Sequence, residues 1–101
     1  MSTIATAASA LKDLINAIPE AESIFERAAL YGAIKAITNG LLAQDLEIVN
    51  GYAKEKARKV CWHAGAALGF DETNGHSVEQ HCSWAVGELW SLRDSDPRRG
   101  D

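Results

Sequence analysis

The fold is decided by residues 48–68, IVNGYAKEKARKVCWHAGAAL. Apolar and small residues recur in this stretch every three or four positions, which is the spacing of one face of an α-helix. The residues of this stripe are Val49, Ala53, Ala57, Val60, Ala64, Ala67 and Leu68. Gly69 follows directly, and glycine commonly ends a helix. The pattern predicts a long helix whose buried face is mostly alanine, so that a neighbouring helix can come close.

Two helices are predicted ahead of this stretch, from about Thr3 to Ile18 and from about Pro19 to Thr38. The first has a single apolar stripe, and Pro19 ends it. The second has apolar residues on more than one side, which is typical of a central helix that touches two or more others. Asn39-Gly40 is a common stop signal and predicts the end of this second helix.

The long helix itself is predicted to begin within Leu41–Asp45, and Gly51 marks either a kink or a break into two helices. A fourth helix is predicted over Val78–Leu92. Its beginning is indicated by Ser77 and Gln80, which have the spacing of a capping box. No stretch alternates between apolar and polar residues as a strand would. The fold class is therefore predicted to be all-α, a compact bundle of four to five helices.

The chain has 101 residues, 47% of them hydrophobic, which suffices for one core and not for two. Residues 1–93 are predicted to form a single helical domain and residues 94–101 a flexible C-terminal tail. Residues 1–18 lack the basic leader of a signal peptide, and no segment approaches the ~20 apolar residues of a membrane span. We therefore expect a cytoplasmic protein with two free cysteines and no membrane association.

The formal net charge is −4 and the pI is near 5.3. Proteins that bind nucleic acid through its phosphates normally carry a basic surplus, so direct nucleic-acid binding is not expected. The charges are unevenly spread, since residues 51–70 hold four cations and one anion whereas residues 1–50 hold three cations and six anions. A basic helix inside an acidic protein suits docking on another protein by charge complementarity.

Trp62 is the first candidate for a partner-binding residue. It projects roughly 200° around the helix from the stripe residue two positions earlier, and Arg58 and Lys59 lie one turn before it. Tryptophan and arginine are enriched at binding hot spots. In a second interpretation the fourth helix, which carries Trp84 and Trp90, covers Trp62 as part of the core. Both interpretations remain open at this point.

Lys54, Glu22 and Glu26 complete the set of candidate partner-binding residues. Lys54 belongs to the basic helix, whereas the two glutamates belong to an acidic group in the first half of the chain. Acidic side chains that share a surface can imitate the phosphates of a nucleic acid and occupy its site on another protein. The predicted partner is therefore another protein or protein complex, including a nucleic-acid-binding one.

Five side chains could bind zinc, namely Cys61, His63, His76, His81 and Cys82. On one helix Cys61 and His63 project about 160° apart, and His81 and Cys82 about 100° apart, so neither pair can share a metal. The remainder falls short of the four ligands of a structural zinc site. We therefore predict no metal, no cofactor and no enzymatic activity. Two alternatives stay open: a small metal- or thiol-dependent protein using Cys61, Cys82 and nearby histidines, or a helical module that self-associates through its tryptophans.

In size, acidity and compact helicity the whole chain resembles the anti-CRISPR proteins, small inhibitors that phages and mobile elements encode against bacterial immune complexes. Segments such as Ala29–Ile34 and Cys61–Gly65 carry no signature of that class, and no residue role is carried across. The resemblance implies a stoichiometric inhibitor that binds a nucleic-acid-binding subunit and blocks its engagement of nucleic acid.

Overall fold

A computed structural model describes residues 2–96. This part of the chain forms four α-helices: α1, Thr3–Ala17; α2, Ile24–Leu42; α3, Gly51–Leu68; and α4, Val78–Asp94. A short 3-10 turn, Ile18–Glu20, separates α1 from α2. α3 packs against α2 and α4, and α1 packs against the same two helices on the other side. The predicted all-α bundle is confirmed.

α3 is the centre of the core, with half of its eighteen residues buried. Every residue of the predicted stripe from Val49 to Leu68 is buried. Gly51 is the first residue of the helix, because Asn50 caps it by accepting a hydrogen bond from the amide of Ala53 at 2.9 Å. Of the two possibilities at Gly51, a kink or a break, the structure has the break, and turns occupy residues 43–49.

The second helix touches two others, as predicted, because α2 packs against both α1 and α3. It is less deeply buried than its apolar residues suggested, since only three of its nineteen residues are buried, Ile34, Thr38 and Leu41. It begins at Ile24 because Pro19 belongs to the 3-10 turn. It also continues past Asn39-Gly40 to Leu42, since Gly40 keeps a helical backbone rather than the left-handed conformation of Gly69.

α4 begins at the predicted cap, where the Ser77 hydroxyl accepts from the amide of Gln80 at 3.1 Å. α4 extends to Asp94, one residue past the predicted end of the helical domain, and the side chain of Asp96 is buried. The Ser2 hydroxyl donates to the Asp96 carboxylate, which joins the start of α1 to the end of α4. The rest of the predicted tail, residues 97–101, lies outside the described range. Between residues 2 and 96 no helix combines the length and the apolar character needed to cross a membrane.

Candidate functional site

The structure divides the predicted partner-binding residues between two helices. Arg58 and Lys59 are exposed on α3, where Arg58 forms a 3.4 Å ion pair with Glu55. Lys54 is half-buried, and its ammonium group donates to the backbone carbonyl of Gln44 at 2.6 Å. Its charge is therefore already used to tie the beginning of α3 to the turn that follows α2. The two glutamates lie elsewhere, at the beginning of α2.

Trp62 is half-buried between α3 and α4 and is not a free-standing aromatic anchor. Its ring centroid lies 4.3 Å from that of His63 and 5.9 Å from that of His81 on α4. The fourth helix thus covers part of the Trp62 ring, which stays half-buried rather than joining the core. The covering side chain is His81, whereas Trp90 contacts Lys12 and Arg93 instead.

All three histidines and two tryptophans form one aromatic cluster at the α3–α4 interface. Its neighbouring ring centroids are 4.3–5.9 Å apart. The members of this histidine–tryptophan cluster are Trp62, His63, His76, His81 and Trp84. Sequence reasoning considered that the fourth helix could cover Trp62, but it did not predict that the three histidines join the two tryptophans in one cluster. The available signal was that aromatic and histidine residues occur on both helices at similar distances from the connecting loop.

His63 and His81 form a buried pair whose protonation follows from its hydrogen bonds. His81 Nε2 lies 2.8 Å from the carbonyl oxygen of Thr73, which can only accept, so Nε2 carries a proton. The Nδ1 atoms of the two rings are 3.1 Å apart, so one of them donates and the other accepts. With both rings neutral, His63 Nδ1–H donates to His81 Nδ1. Burial, and then the proximity of His81, lowers the pKa of His63.

From residue 2 to residue 96 no three histidine, cysteine, aspartate or glutamate side chains are grouped so that they could hold a metal ion. Cys61 and Cys82 are both half-buried free thiols. Burial, with a smaller effect from Glu79, raises the pKa of Cys82, which keeps its sulfur in the weakly nucleophilic thiol form.

Among residues 2–96 the most exposed large hydrophobic side chain is Phe25, at the beginning of α2. Phe25 is 83% exposed and Ile24 52% exposed. Beside them is an open groove of about 520 Å³ between the end of α1 and the beginning of α2. The groove is lined by Leu14, Ala17, Glu20, Ala21, Glu26, Ala29 and Leu30. We call it the acidic groove, because among residues 2–96 the only charged residues in its lining are two glutamates.

Local hydrogen bonds hold one of these glutamates in place. The Ser23 hydroxyl accepts from the amide of Glu26 at 3.0 Å, and the Glu26 carboxylate accepts from the amide of Ser23 at 3.3 Å. This reciprocal capping box starts α2 and fixes the Glu26 carboxylate beside the groove. Glu20 and Glu22 are exposed nearby in the chain, so the beginning of α2 is apolar with an acidic border. Glu22 and Glu26, predicted as partner-binding residues, thus lie close in the chain to Phe25.

Comparison with known proteins gives this chain no relative: no protein-family model matches it, and neither a curated protein nor a solved structure matches it.

Proposed function

We propose that the protein is a non-catalytic binding module that docks through the acidic groove on a basic surface of a nucleic-acid-binding complex. The observation that carries the proposal is the 83% exposure of Phe25 beside an apolar groove bordered by Glu20 and Glu26. By occupying that basic surface, the protein keeps the complex from engaging its nucleic acid. It acts in the cytoplasm, where such complexes operate.

The apolar part of this surface supplies the affinity. Burying a phenylalanine side chain that is otherwise in water is worth about 1.5–3 kcal/mol, and aromatic residues in the centre of a contact dominate binding energies. The groove beside Phe25 accepts an apolar side chain from the partner in return. Two complementary insertions of this kind give a contact a fixed orientation.

The acidic part supplies the choice of partner. Glu20, Glu22 and Glu26 present three carboxylates between the 3-10 turn and the first turn of α2. The net charge of the protein is −4. These charges repel nucleic acid and attract the lysine and arginine residues with which other proteins bind phosphates. The resemblance in size, acidity and helicity to anti-CRISPR proteins makes bacterial immune complexes the first class of partner to examine.

The aromatic residue that contacts the partner is thus Phe25 and not Trp62. Trp62 is held by the histidine–tryptophan cluster, and Lys54 by the Gln44 carbonyl, so neither is free to reach a partner. Arg58 and Lys59 stay exposed on α3 and provide an internal control, because they lie outside the groove lining.

The test is competition on a purified CRISPR-type ribonucleoprotein complex, read as retention of labelled target DNA. We expect the protein to displace the DNA at about one molecule per complex. Phe25→Ser, and separately the pair Glu20→Lys and Glu22→Lys, should each weaken the competition at least tenfold. Arg58→Glu with Lys59→Glu should compete as the parent does.

Two results would overturn the proposal. The first is an absence of displacement across complexes of several types at micromolar protein. The second is displacement that the Phe25 and glutamate variants retain in full while Arg58→Glu with Lys59→Glu loses it, which would place the contact on α3. Circular dichroism of each variant confirms that its helices are intact.

A further inference from the structure

His63 on α3 and His81 on α4 face each other across the interface of the two helices, with their Nδ1 atoms 3.1 Å apart. Both side chains are almost fully buried, at 7% and 0% exposure. The prediction that no metal binds rested mainly on pairs within one helix, whereas this pair joins two helices. Two ring nitrogens that face each other at this distance can share one small positive group, which is either a proton or a metal ion.

The hydrogen bond of His81 to the loop before α4 selects the nitrogen that is free to bind a metal. His81 Nε2–H donates to the carbonyl oxygen of Thr73 at 2.8 Å, so the lone pair of the neutral ring is on Nδ1. Metal-binding histidines almost always donate their other ring N–H to a carbonyl, a carboxylate or water, which fixes the tautomer and the orientation of the ring. His81 therefore makes the hydrogen bond of a metal ligand, and its free nitrogen faces His63.

We propose that His63 and His81 bind one transition metal ion of the zinc, nickel or copper class through their Nδ1 atoms. Histidine nitrogens coordinate zinc at ~2.0–2.1 Å, so a separation of 3.1 Å corresponds to an angle of about 100° at the metal. This angle lies between the ~90° of square-planar and the ~109° of tetrahedral coordination. The ion replaces the proton that lies between the two Nδ1 atoms. His63 then carries its proton on Nε2, so both rings stay neutral and no proton is released.

Two indole rings flank the histidine pair and favour a positive ion there. The ring centroid of Trp62 lies 4.3 Å from that of His63 and 5.9 Å from that of His81. The ring centroid of Trp84 lies 5.4 Å from those of both histidines. The face of an aromatic ring attracts cations, and tryptophan does so most strongly. The pair is thus surrounded by groups that tolerate a metal ion.

The type of donor, rather than the neighbouring charges, selects the ion. Glu88 favours a positive charge at His63 and Lys59 disfavours it. Glu88 is also paired with Lys56, at 2.9 Å, so its charge is largely used. Imidazole nitrogens suit zinc, copper and nickel, whereas magnesium and calcium prefer oxygen ligands. We therefore expect binding of Zn²⁺ and none of Mg²⁺.

Water completes the coordination of the ion. From residue 2 to residue 96 no third histidine, cysteine or carboxylate is grouped with the pair. His76 is exposed, and its ring stands edge-on to that of His81 with centroids 5.9 Å apart. Trp62 and Trp84 are half-buried, so the pair lies close to solvent. A site with two protein ligands binds less tightly than a structural zinc site with four, and we expect micromolar affinity.

This inference goes beyond the proposed function and does not rest on it. The acidic groove lies between α1 and α2, whereas the histidine pair joins α3 to α4. His63→Gln should therefore behave as the parent does in the DNA competition assay. Failure of that assay and failure of metal binding are thus separate results.

Isothermal titration calorimetry of the chelator-treated full chain with Zn²⁺, at mildly alkaline pH, tests the site. We expect one Zn²⁺ per chain, and His63→Gln and His81→Gln should each weaken binding at least tenfold. His76→Gln is the matched control, since it removes a histidine of the same cluster that is not part of the pair, and it should bind as the parent does. The double variant Cys61→Ser, Cys82→Ala should also retain binding. No uptake by the parent, or uptake that depends on the cysteines and not on His63, would overturn the proposal.

Nuclear magnetic resonance of the histidine rings tests the site without any substitution. Long-range proton–nitrogen correlation distinguishes a ring that is protonated on Nδ1 from one that is protonated on Nε2. Without metal we expect His63 to carry its proton on Nδ1 and His81 on Nε2. Zn²⁺ should move the His63 proton to Nε2 and shift the Nδ1 resonances of both rings. A His63 ring that keeps its proton on Nδ1 at saturating Zn²⁺ would contradict the proposal.

Discussion

The ring of Tyr31 on α2 occupies the space in which residue 65 of α3 would carry a side chain. A Cβ on Gly65 would lie 2.9 Å from Tyr31 Cε1 and 3.1 Å from both Cζ and the hydroxyl oxygen. The same ring stacks on Phe70, with centroids 5.3 Å apart and planes 5° from parallel. α2, which buries few residues of its own, is therefore positioned on α3 by a tyrosine that fits against a glycine.

Gly65→Ala should destabilise the protein although alanine is the better helix former. The added methyl group would clash with the Tyr31 ring, whose position is constrained because it stacks on Phe70. Overpacking of this kind costs about 1–3 kcal/mol. The measurement is the free energy of unfolding in urea. Gly87→Ala is the control, because its new methyl group meets nothing and should raise the free energy of unfolding by up to ~1 kcal/mol. Equal effects of the two substitutions would show that Tyr31 yields without cost.

The buried His63–His81 pair should make the protein less stable in mild acid. The pKa of His63 in the fold lies below its ordinary value of 6.5, chiefly because the ring is buried and next because His81 faces it. Lys59 acts in the same direction, while Glu88 opposes it. The unfolded chain therefore binds this proton more readily than the folded one. The resulting stability is complete above about pH 6.5 and declines as the pH falls below that value.

Urea unfolding at pH 8 and pH 5 measures this dependence. His63→Gln retains an amide donor for His81 and cannot titrate, so its free energy of unfolding should change less between the two pH values than that of the parent. A parent equally stable at pH 8 and pH 5 would contradict the prediction.

Trp62 and Arg58 should separate into a structural and a surface residue. Trp62→Ala removes a half-buried ring that packs on His63 and His81. We expect the free energy of unfolding to fall by about 2 kcal/mol, less than the ~3–5 kcal/mol that removal of a fully buried aromatic ring costs. Arg58→Glu should change the free energy of unfolding by less than ~0.5 kcal/mol, because Arg58 is exposed and its partner Glu55 is too. Thermal or urea unfolding distinguishes the two variants. A Trp62→Ala variant as stable as the parent would show that the Trp62 ring has no structural role.

As the cap of α3, the Asn50 side chain should contribute about 1 kcal/mol to the free energy of unfolding. Its side-chain oxygen accepts from the amide of Ala53, and Asn50→Ala leaves that amide to water at the start of the central helix. Asn50→Asp keeps the acceptor and should be close to neutral in effect. The comparison of the two by urea unfolding isolates the cap, since both substitutions leave Gly51 in place as the first residue of the helix.

Helical periodicity predicted α1, α3 and the core stripe well, because each of these helices buries one continuous face. It overestimated the burial of α2, whose apolar residues suggested a central helix. Periodicity measures how apolar a face is and not what covers it, so Ile24 and Phe25 could equally be core or surface. Asn39-Gly40 was misleading for a related reason, since glycine ends a helix only where the backbone takes the left-handed conformation, as at Gly69.

The candidate sites were harder to predict than the fold. The histidine–tryptophan cluster depends on how α3 and α4 are rotated about their axes, and a single sequence contains no direct record of that rotation. His63 and His81 were considered only as candidate metal ligands on separate helices, whereas the structure buries both against each other. Glu22 and Glu26 were identified from charge alone, and the groove beside them depends on the angle at which the 3-10 turn sets α2 on α1.

The contact between Ser2 and Asp96 bears on the order in which the bundle assembles. α3 and α4 are consecutive in the chain and are joined by a short loop. Their pairing therefore closes only that short loop, costs little chain entropy and can form early. α1 meets α4 only after nearly the whole chain has been brought round, which carries the largest loss of chain entropy. The rate of folding is therefore expected to depend on the α3–α4 hairpin, while the lifetime of the native state depends on how firmly α1 holds its place against α4.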